Sequence, residues 1–458
     1  MSRTGVRMGA RARWTPEQVL ALAPDEASSS AGSRLGVAGP WSETGCSASG
    51  EAVWGRCKGS GSTPYRTVVD LTGGPAASCD CPSPKFPCKH TLGLLLLWAG
   101  DDGTVSEGEA VPDWAERWLT GRREPAAEGG AVTGGGTATA AGPADPEAAR
   151  RRAERRAARI TAGARELEQR LADLVRGGLA SAEQPGYGVW EETAARMVDA
   201  QAPGLAARVR ELGAIPGSGA GWPLRLLEEI ALTHLLDRAW LSLDRLPEPL
   251  AATVRTRVGL TAPASGPAVR DHWQVLAQYD TGDAKLTTRR IWLHGTETGR
   301  TALLLSFGAA GRAPQLALPV GAVLDAALSA YPGAGQVRAE LVEQFSAPVP
   351  AAGPPPGGTT AEAIAAYGGA LRDDPWLDAR PATLTGVVPV RTDTGRQLQD
   401  AAGALPLTPA AANRPGLWRL VALSGGAPVT VFGECGHQGF TPLTCWSPED
   451  PTETVPLV

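Results

Sequence analysis

The spacing of hydrophobic positions changes character several times along the chain, and each change marks a different kind of structure. In the first hundred residues it is partly two-fold. Tyr65, Thr67, Val69 and Leu71 share one side of a segment rich in β-branched residues, so 65–71 reads as a strand. Segment 52–58 reads as its partner across a Gly/Ser/Pro turn at 59–64, making a hairpin. Upstream, Thr15-Pro16-Glu17 has the form of a helix start: a hydroxyl cap, a proline in the first turn and a carboxylate at the positive dipole end. A second helical stretch is expected from near 25 to the 36–40 region, after the frayed basic residues 1–13. The Leu-rich run 92–98 predicts a buried helix, and 112–119 predicts another, with Trp114 and Trp118 on one face.

Residues 121–144 are rich in Gly and Ala and can bury little, so they read as a flexible linker. Beyond it Ala153, Ala157, Ile160, Ala164, Leu167, Leu171 and Leu174 alternate in steps of four and three, which predicts one long helix ending at Gly177-Gly178. Arg150, Arg151, Arg152, Arg155, Arg156 and Arg159 occupy its front, partly offset by Glu147 and Glu154. The favoured reading is a solvated face of a bundle helix, and the rival is a basic helix for nucleic acid. Further helices at 189–201, 203–212 and 223–243 make 145–247 an α-helical domain, with His234 inside an apolar stretch. From 272 the period returns to two. Strands are expected at 272–279, 288–294 and 301–307, then a short piece at 316–318. Helices follow at 321–331 and 361–371, and strands at 383–391, 416–423 and 428–433, so 248–458 is an α+β, β-rich domain.

Composition narrows the class. At 458 residues, two or three domains are required. A net charge of -5 excludes a global polycation, so any nucleic-acid contact must be local. No secretory apolar core and no apolar run of membrane-spanning length is present, which predicts a cytoplasmic protein with no membrane partner. In that reducing compartment, seven unevenly spread cysteines point to metal or thiol chemistry and not to disulfides.

Cys79, Cys81, Cys88 and His90 lie within twelve positions. Three thiols and an imidazole form the donor set of a closed tetrahedral zinc site. Pro82, Pro84 and Pro87 stiffen the loop. A helix N-terminus, Lys85 and Lys89 favour the residual charge of about -1 left by three thiolates on Zn²⁺. Four protein donors leave no place for water, so the metal is structural. The order Cys-x-Cys, six residues, Cys-x-His resembles the SWIM zinc finger, over roughly 54–99. The flanking WTPEQVLALAPD, GSGSTPY and PCKHTLGLLLLWA segments are similar to those of bacterial SWIM finger proteins. That resemblance implies Cys79, Cys81, Cys88 and His90 as ligands of Zn²⁺, and a DNA or protein partner. It brings no defined activity. A Cys-x-Cys thiol switch is the weaker alternative.

The fold class is therefore α+β and multidomain: a small zinc-stabilised hairpin/helix module with N-terminal helices in 1–120, the linker, the helical domain and the β-rich domain. No phosphate-cradling loop, zincin motif or nucleophile elbow occurs. Cys435, His437 and Cys445 lack a fourth donor for zinc, Cys46 and Cys57 read as ordinary thiols, and Asp373-Asp374 and Glu228-Glu229 read as surface pairs. The sequence thus describes a non-enzymatic zinc-binding protein whose finger, flanked by Lys58, Arg66, Lys85 and Lys89, contacts DNA or protein. Two alternatives stand beside it. One is an adaptor in an assembly whose ATPase is another chain. The other is an enzyme with a cleft near His272, Trp273, Trp292 and His294. No small-molecule substrate is indicated.

Overall fold

The computed structural model describes residues 14–20, 22–23, 26–48, 50–59, 63–71, 76–81, 83, 87–100, 103–123, 146–183, 187–282, 286–309, 314, 316–393 and 395–458. Helices α1 (Pro16–Leu20) and α2 (Glu26–Leu35) lead into a sheet of β1 (Trp41–Cys46), β2 (Ala52–Cys57), β3 (Tyr65–Asp70), β4 (Ala76–Cys79) and, after α3 (Lys89–Ala99), β5 (Ser106–Glu107). The strand order is β4-β3-β2-β1-β5. The predicted hairpin is β2–β3, with Ala52 opposite Asp70 and Cys57 opposite Tyr65. It is widened on both sides by β1 and β4, whose sequences WSETGC and AASC hold no β-branched run and no alternation. The apolar run of α3 lies against this sheet, with Leu92, Leu94, Leu95, Leu97 and Trp98 all at or below 6% exposure. Close helix packing is possible because α3 carries Gly93, where a Cβ would come within 2.6 Å of the Leu35 Cβ on α2.

Two contacts tie this module to the distant C-terminal domain. Trp14, edge-on to Trp98 at 6.2 Å, donates its indole N–H to the Pro348 carbonyl at 3.2 Å. Ala317, fully buried, belongs to the module's own core. Helix α4 (Asp113–Arg123) closes the other face, where Trp114 and Trp118 pack with Ala115 and Leu119 on Trp54 and Val68. The tryptophan pair therefore serves packing. Helix α4 also continues through Arg123, so the first three positions of the expected linker are helical, and 124–144 lie outside the described residues.

The helical domain contains α5 (Pro146–Gly177), α6 (Tyr187–Asp199), α7 (Pro203–Ala214), α8 (Trp222–Leu241) and α9 (Glu248–Val258). The four-and-three stripe of α5 faces inward at Ile160, Ala164, Leu167 and Leu171. Its arginine front is exposed except at Arg156, which is half-buried and donates to the Gly259 carbonyl at 3.4 Å, and Arg150–Glu154 and Arg151–Glu147 pairs lie one turn apart at 3.2 and 3.1 Å. Val254 and Val258 of α9 enter the same core, so the helical packing runs past the boundary expected at 247. Pro247 caps α9 and Pro249 sits in its first turn, so these prolines start a further helix of the same domain. Asp237 and Thr233, one turn apart on α8, are both fully buried, and their side-chain oxygens find no hydrogen-bond partner among the described residues. Burial, with Glu168 nearby, pushes the Asp237 carboxyl up to about 8.

The C-terminal region holds two six-stranded sheets. In the first, β6 (Val269–Gly282), β7 (Leu286–Gly295), β8 (Thr301–Ala309), β9 (Ala322–Ala330), β10 (Arg338–Gln344) and β11 (Val349–Pro350) take the order β10-β8-β7-β6-β9-β11. The second contains β12 (Ala379–Thr392), β13 (Gly395–Gln399), β14 (Ala404–Pro406), β15 (Val429–Gly436), β16 (Gly439–Trp446) and β17 (Thr454–Pro456), ordered β14-β13-β12-β15-β16-β17. Helices α10 (Thr360–Ala370), α11 (Pro409–Ala412) and α12 (Gly416–Ser424) accompany it. Two expectations are corrected here. Segment 321–331 is the strand β9 and not a helix: Ala322, Leu324, Ala326 and Leu328 alternate inward, and the strand pairs with β6 and β10. Segment 416–423 is the helix α12 and not a strand: Leu417, Leu420 and Ser424 are buried while Trp418 and Val421 face outward. Residues 316–318 form no strand, although Ala317 and Leu318 are buried. The two sheets meet through Leu276, Trp292, Phe432, Leu443 and Trp446. The helical domain is joined to them by Arg257 Nε to Asp374 at 3.2 Å and by the Trp376 indole N–H to the Leu232 carbonyl at 2.8 Å.

The buried Asp237 makes stability pH-dependent. Its folded pKa lies above its unfolded one, so the folded chain holds the extra proton between about pH 4 and pH 8. Stability falls as pH rises through that window, by on the order of 1.4 kcal/mol per pH unit at most. Asp237→Asn removes this slope. Urea unfolding followed by hydrogen exchange in α5 and α8 should find the variant near wild type at low pH and more stable at the upper end. Identical pH profiles would show that Asp237 is compensated.

Candidate metal centre

Three neighbouring pieces of backbone build the site. Cys79 ends β4, opposite Thr67 of β3. Cys81 follows two positions later, just beyond the strand. Cys88 is the extended N-cap of α3, with its sulfur accepting the Thr91 N–H at 3.5 Å, and His90 lies in the first turn. A strand end and a helix start therefore bring together residues close in sequence. The four donor atoms all lie within 4.8 Å of one another. Tetrahedral zinc with Zn–S bonds of about 2.3 Å needs sulfurs roughly 3.7 Å apart, so a small contraction completes the shell. No other group of three or more such side chains gathers among the described residues, and Cys435, His437 and Cys445 do not converge. All seven cysteines are unbridged.

The surroundings polarise the donors. Cys79 Sγ lies 3.8 Å from His90 Nδ1 and accepts the Thr67 hydroxyl at 3.3 Å. Cys88 Sγ sits 3.4 Å from the Thr91 hydroxyl. Cys79 and Cys88 lie within hydrogen-bonding reach of each other. The hydrogen bond between them holds the Cys88 thiol far below its ordinary value, helped by His90 and Thr91, and keeps the Cys79 thiol raised. Burial raises Cys81. A divalent ion held by this group would take all three sulfurs as thiolates. The donor set thus fits zinc, and its four members would fill the coordination sphere. The Tyr65 ring covers His90 at 4.9 Å between centroids. Asp80, between the first two cysteines, fixes the turn by accepting the Arg66 backbone N–H at 2.8 Å and its side chain at 3.0 Å. Cys57, fully buried on β2, is raised to about 11 by burial and feels the charges of Lys89, Cys88 and Cys81.

Thr67, Thr91 and Tyr65 support the donors without being evident as site residues in the sequence. Their signal is nonetheless present in the spacing: Thr67 pairs with Cys79 once β4 is added to the hairpin, and Thr91 is three residues after the cap Cys88. Pro82, Pro84 and Lys85 lie outside the described residues, while Pro87 is buried.

Comparison with known families agrees with this geometry. Residues 65–99 match the SWIM zinc finger, and residues 155–258 match the SWIM-associated four-helix bundle domain. The chain carries both modules, and the finger's cofactor is zinc. The second match gives a family to a domain whose sequence pattern shows only that it is helical. No curated protein and no solved structure is significantly similar to the chain.

Two measurements check the site. Elemental analysis of the purified chain should give about one zinc per chain, and Cys81→Ser or His90→Ala should release it and expose 50–100 to hydrogen exchange, leaving the α5–α9 packing protected. Zinc content that survives both changes would disprove the assignment. Thr67→Val removes the hydroxyl that donates to Cys79 and keeps the shape; competition with a chromophoric chelator should show about 10- to 100-fold weaker zinc binding.

Proposed function

We propose that the chain is a non-catalytic, zinc-locked interaction protein whose finger docks on another protein. The observation that carries this reading is the burial of α3. From His90 to Trp98 every residue except Leu96 is buried. A helix that reads a DNA groove needs an exposed polar face, and α3 has none beyond Lys89. The flanking cations are also largely committed. Arg66 is paired with Asp80 and Arg56 with Glu43 at 2.9 Å. Among the described residues Lys58 and Lys89 remain exposed, and two phosphate contacts from them would support only weak, salt-sensitive affinity.

The absence of a place for water in a Cys₃His shell supports a structural metal and a non-enzymatic role. Three of the four residues of the alternative enzymatic cleft are occupied in packing and pairing: Trp273 donates to the Ala326 carbonyl at 3.0 Å, Trp292 to Glu434 at 3.1 Å, and His272 pairs with Glu297 at 2.8 Å. No helix among the described residues is long and apolar enough to cross a membrane. Seven unbridged cysteines suit the reducing cytoplasm. With no nucleotide-binding loop of its own, the chain suits an adaptor in an assembly whose ATPase is a separate subunit.

Affinity capture from the native cell with tagged full-length chain tests the reading. A protein partner should be enriched by wild type and absent with Cys81→Ser, while duplex DNA shows no specific anisotropy change near physiological salt. Duplex binding that weakens with Lys58→Ala and Lys89→Ala would reassign the finger to DNA.

A further inference from the structure

We propose that the second sheet of the C-terminal domain carries a separate binding surface for single-stranded nucleic acid, centred on Trp418. This residue presents an exposed aromatic ring with a cation already on it. Trp418 is 62% exposed on α12, and the Arg396 guanidinium of β13 lies 4.4 Å from its ring centroid. Arg391 of β12 is directly opposite Arg396 in the strand ladder. Like charges opposed across a ladder destabilise it unless an anion is nearby. Neither arginine has a carboxylate partner among the described residues. Asp400, just past the end of β13, is taken up by the Thr360 backbone and hydroxyl at 2.6 and 2.8 Å.

A cleft of about 930 Å³ opens beside the same helix. Arg414, just before α12, and Arg419, within it, line the cleft with Arg289. Arg289 is neutralised by Asp280 at 2.7 and 2.9 Å. Arg414 and Arg419 have no acidic partner among the described residues, and Arg414 Nη1 is buried there without a hydrogen bond. Arg396 therefore lies on the exposed indole with Arg391 opposite it, and Arg414 and Arg419 line the neighbouring cleft, in a chain whose overall charge is -5.

This combination suits a strand with accessible base faces and a repeating phosphate. The indole plane offers a base a stacking platform, and the arginines offer phosphates charge-assisted hydrogen bonds. A duplex keeps its base faces inside the stack, and an acidic peptide would use the arginines without gaining from the ring. The exposed indole with Arg396 and Arg391 belongs to the C-terminal domain, while the neighbouring cleft is also lined by Leu20, Leu22, Ala23 and Ser29 of the N-terminal module.

The test uses full-length, zinc-loaded chain and a fluorescein-labelled oligothymidine or oligouridine of about 20 nucleotides, titrated by anisotropy from about 50 to about 200 mM salt. Binding is expected to weaken about 10- to 100-fold with Trp418→Ala and to be largely kept with Trp418→Phe. Arg391→Gln with Arg396→Gln should flatten the salt slope by about 0.7 for each phosphate no longer neutralised. Cys81→Ser should leave the loss of binding caused by Trp418→Ala unchanged, which separates its outcome from that of the finger. No binding at the lowest salt overturns the proposal. So does binding that Trp418→Ala leaves intact, or that polyglutamate matches with equal affinity, since charge alone would then explain it.

Discussion

Three sulfurs crowded at the mouth of one helix set the conditions for the N-terminal module of the molecule. Bringing Cys79, Cys81 and Cys88 within 4.8 Å of each other and of His90 desolvates groups that must be anionic to be useful, and such charges are tolerated inside a protein only when a cation pairs with them. A zinc ion reverses the sign of that cost, and in finger peptides it contributes on the order of 10–16 kcal/mol to folding. The same bond set fastens the end of β4 to the beginning of α3. Helix α3 is the element on which α1, α2, β2 and β3 all pack, so the direction fixed by the metal is passed to the rest of the module.

That module is not a bead on a string. The Trp14 indole reaches Pro348, and Ala317 fills a place in the finger's core, so residues far downstream complete it. Trp376 plays the same part for the helical domain by entering its core, with Arg257 and Asp374 beside it. Side chains lent between units restrict their relative motion more than a smooth interface would, because a buried tryptophan cannot leave without opening a cavity. The finger is therefore presented to a partner as part of a larger body, with its orientation set by the C-terminal domain.

The zinc donors are legible in the sequence because metal chemistry constrains residue type and spacing within a dozen positions, and the buried stripe of α5 is legible because its period repeats many times. What cannot be read there depends on distant pairing. Strands β1 and β4 have weak patterns of their own and exist because β2 and β3 offer them edges. Segment 321–331, GAVLDAALSAY, has the alanines of a good helix former, but β6 and β10 lie ready on either side and tertiary pairing overrides propensity. The reach of the helical domain to Val258 is masked by two prolines, which in fact begin α9 and do not end a domain. The contacts of Thr67 and Tyr65 with the metal donors need the strand register.

The reversal at 416–423 has the widest consequence. Read as a strand, GLWRLVAL would alternate and leave Trp418 on the same side as Leu420, in the core. As a helix it buries Leu417, Leu420 and Ser424 at steps of three and four and turns Trp418 outward. The start of this helix has no freedom to shift: a Cβ on Gly416 would fall 1.8 Å from the Leu457 carbonyl oxygen, so α12 is seated against the chain's last strand region. One exposed tryptophan by itself is ordinary on a protein surface. Here the helix that exposes it also carries Arg419 and follows Arg414, while the neighbouring hairpin supplies Arg396 to its face and Arg391 opposite. Period, close packing and strand register converge on one place, and together they give the C-terminal domain a chemical character distinct from that of the finger.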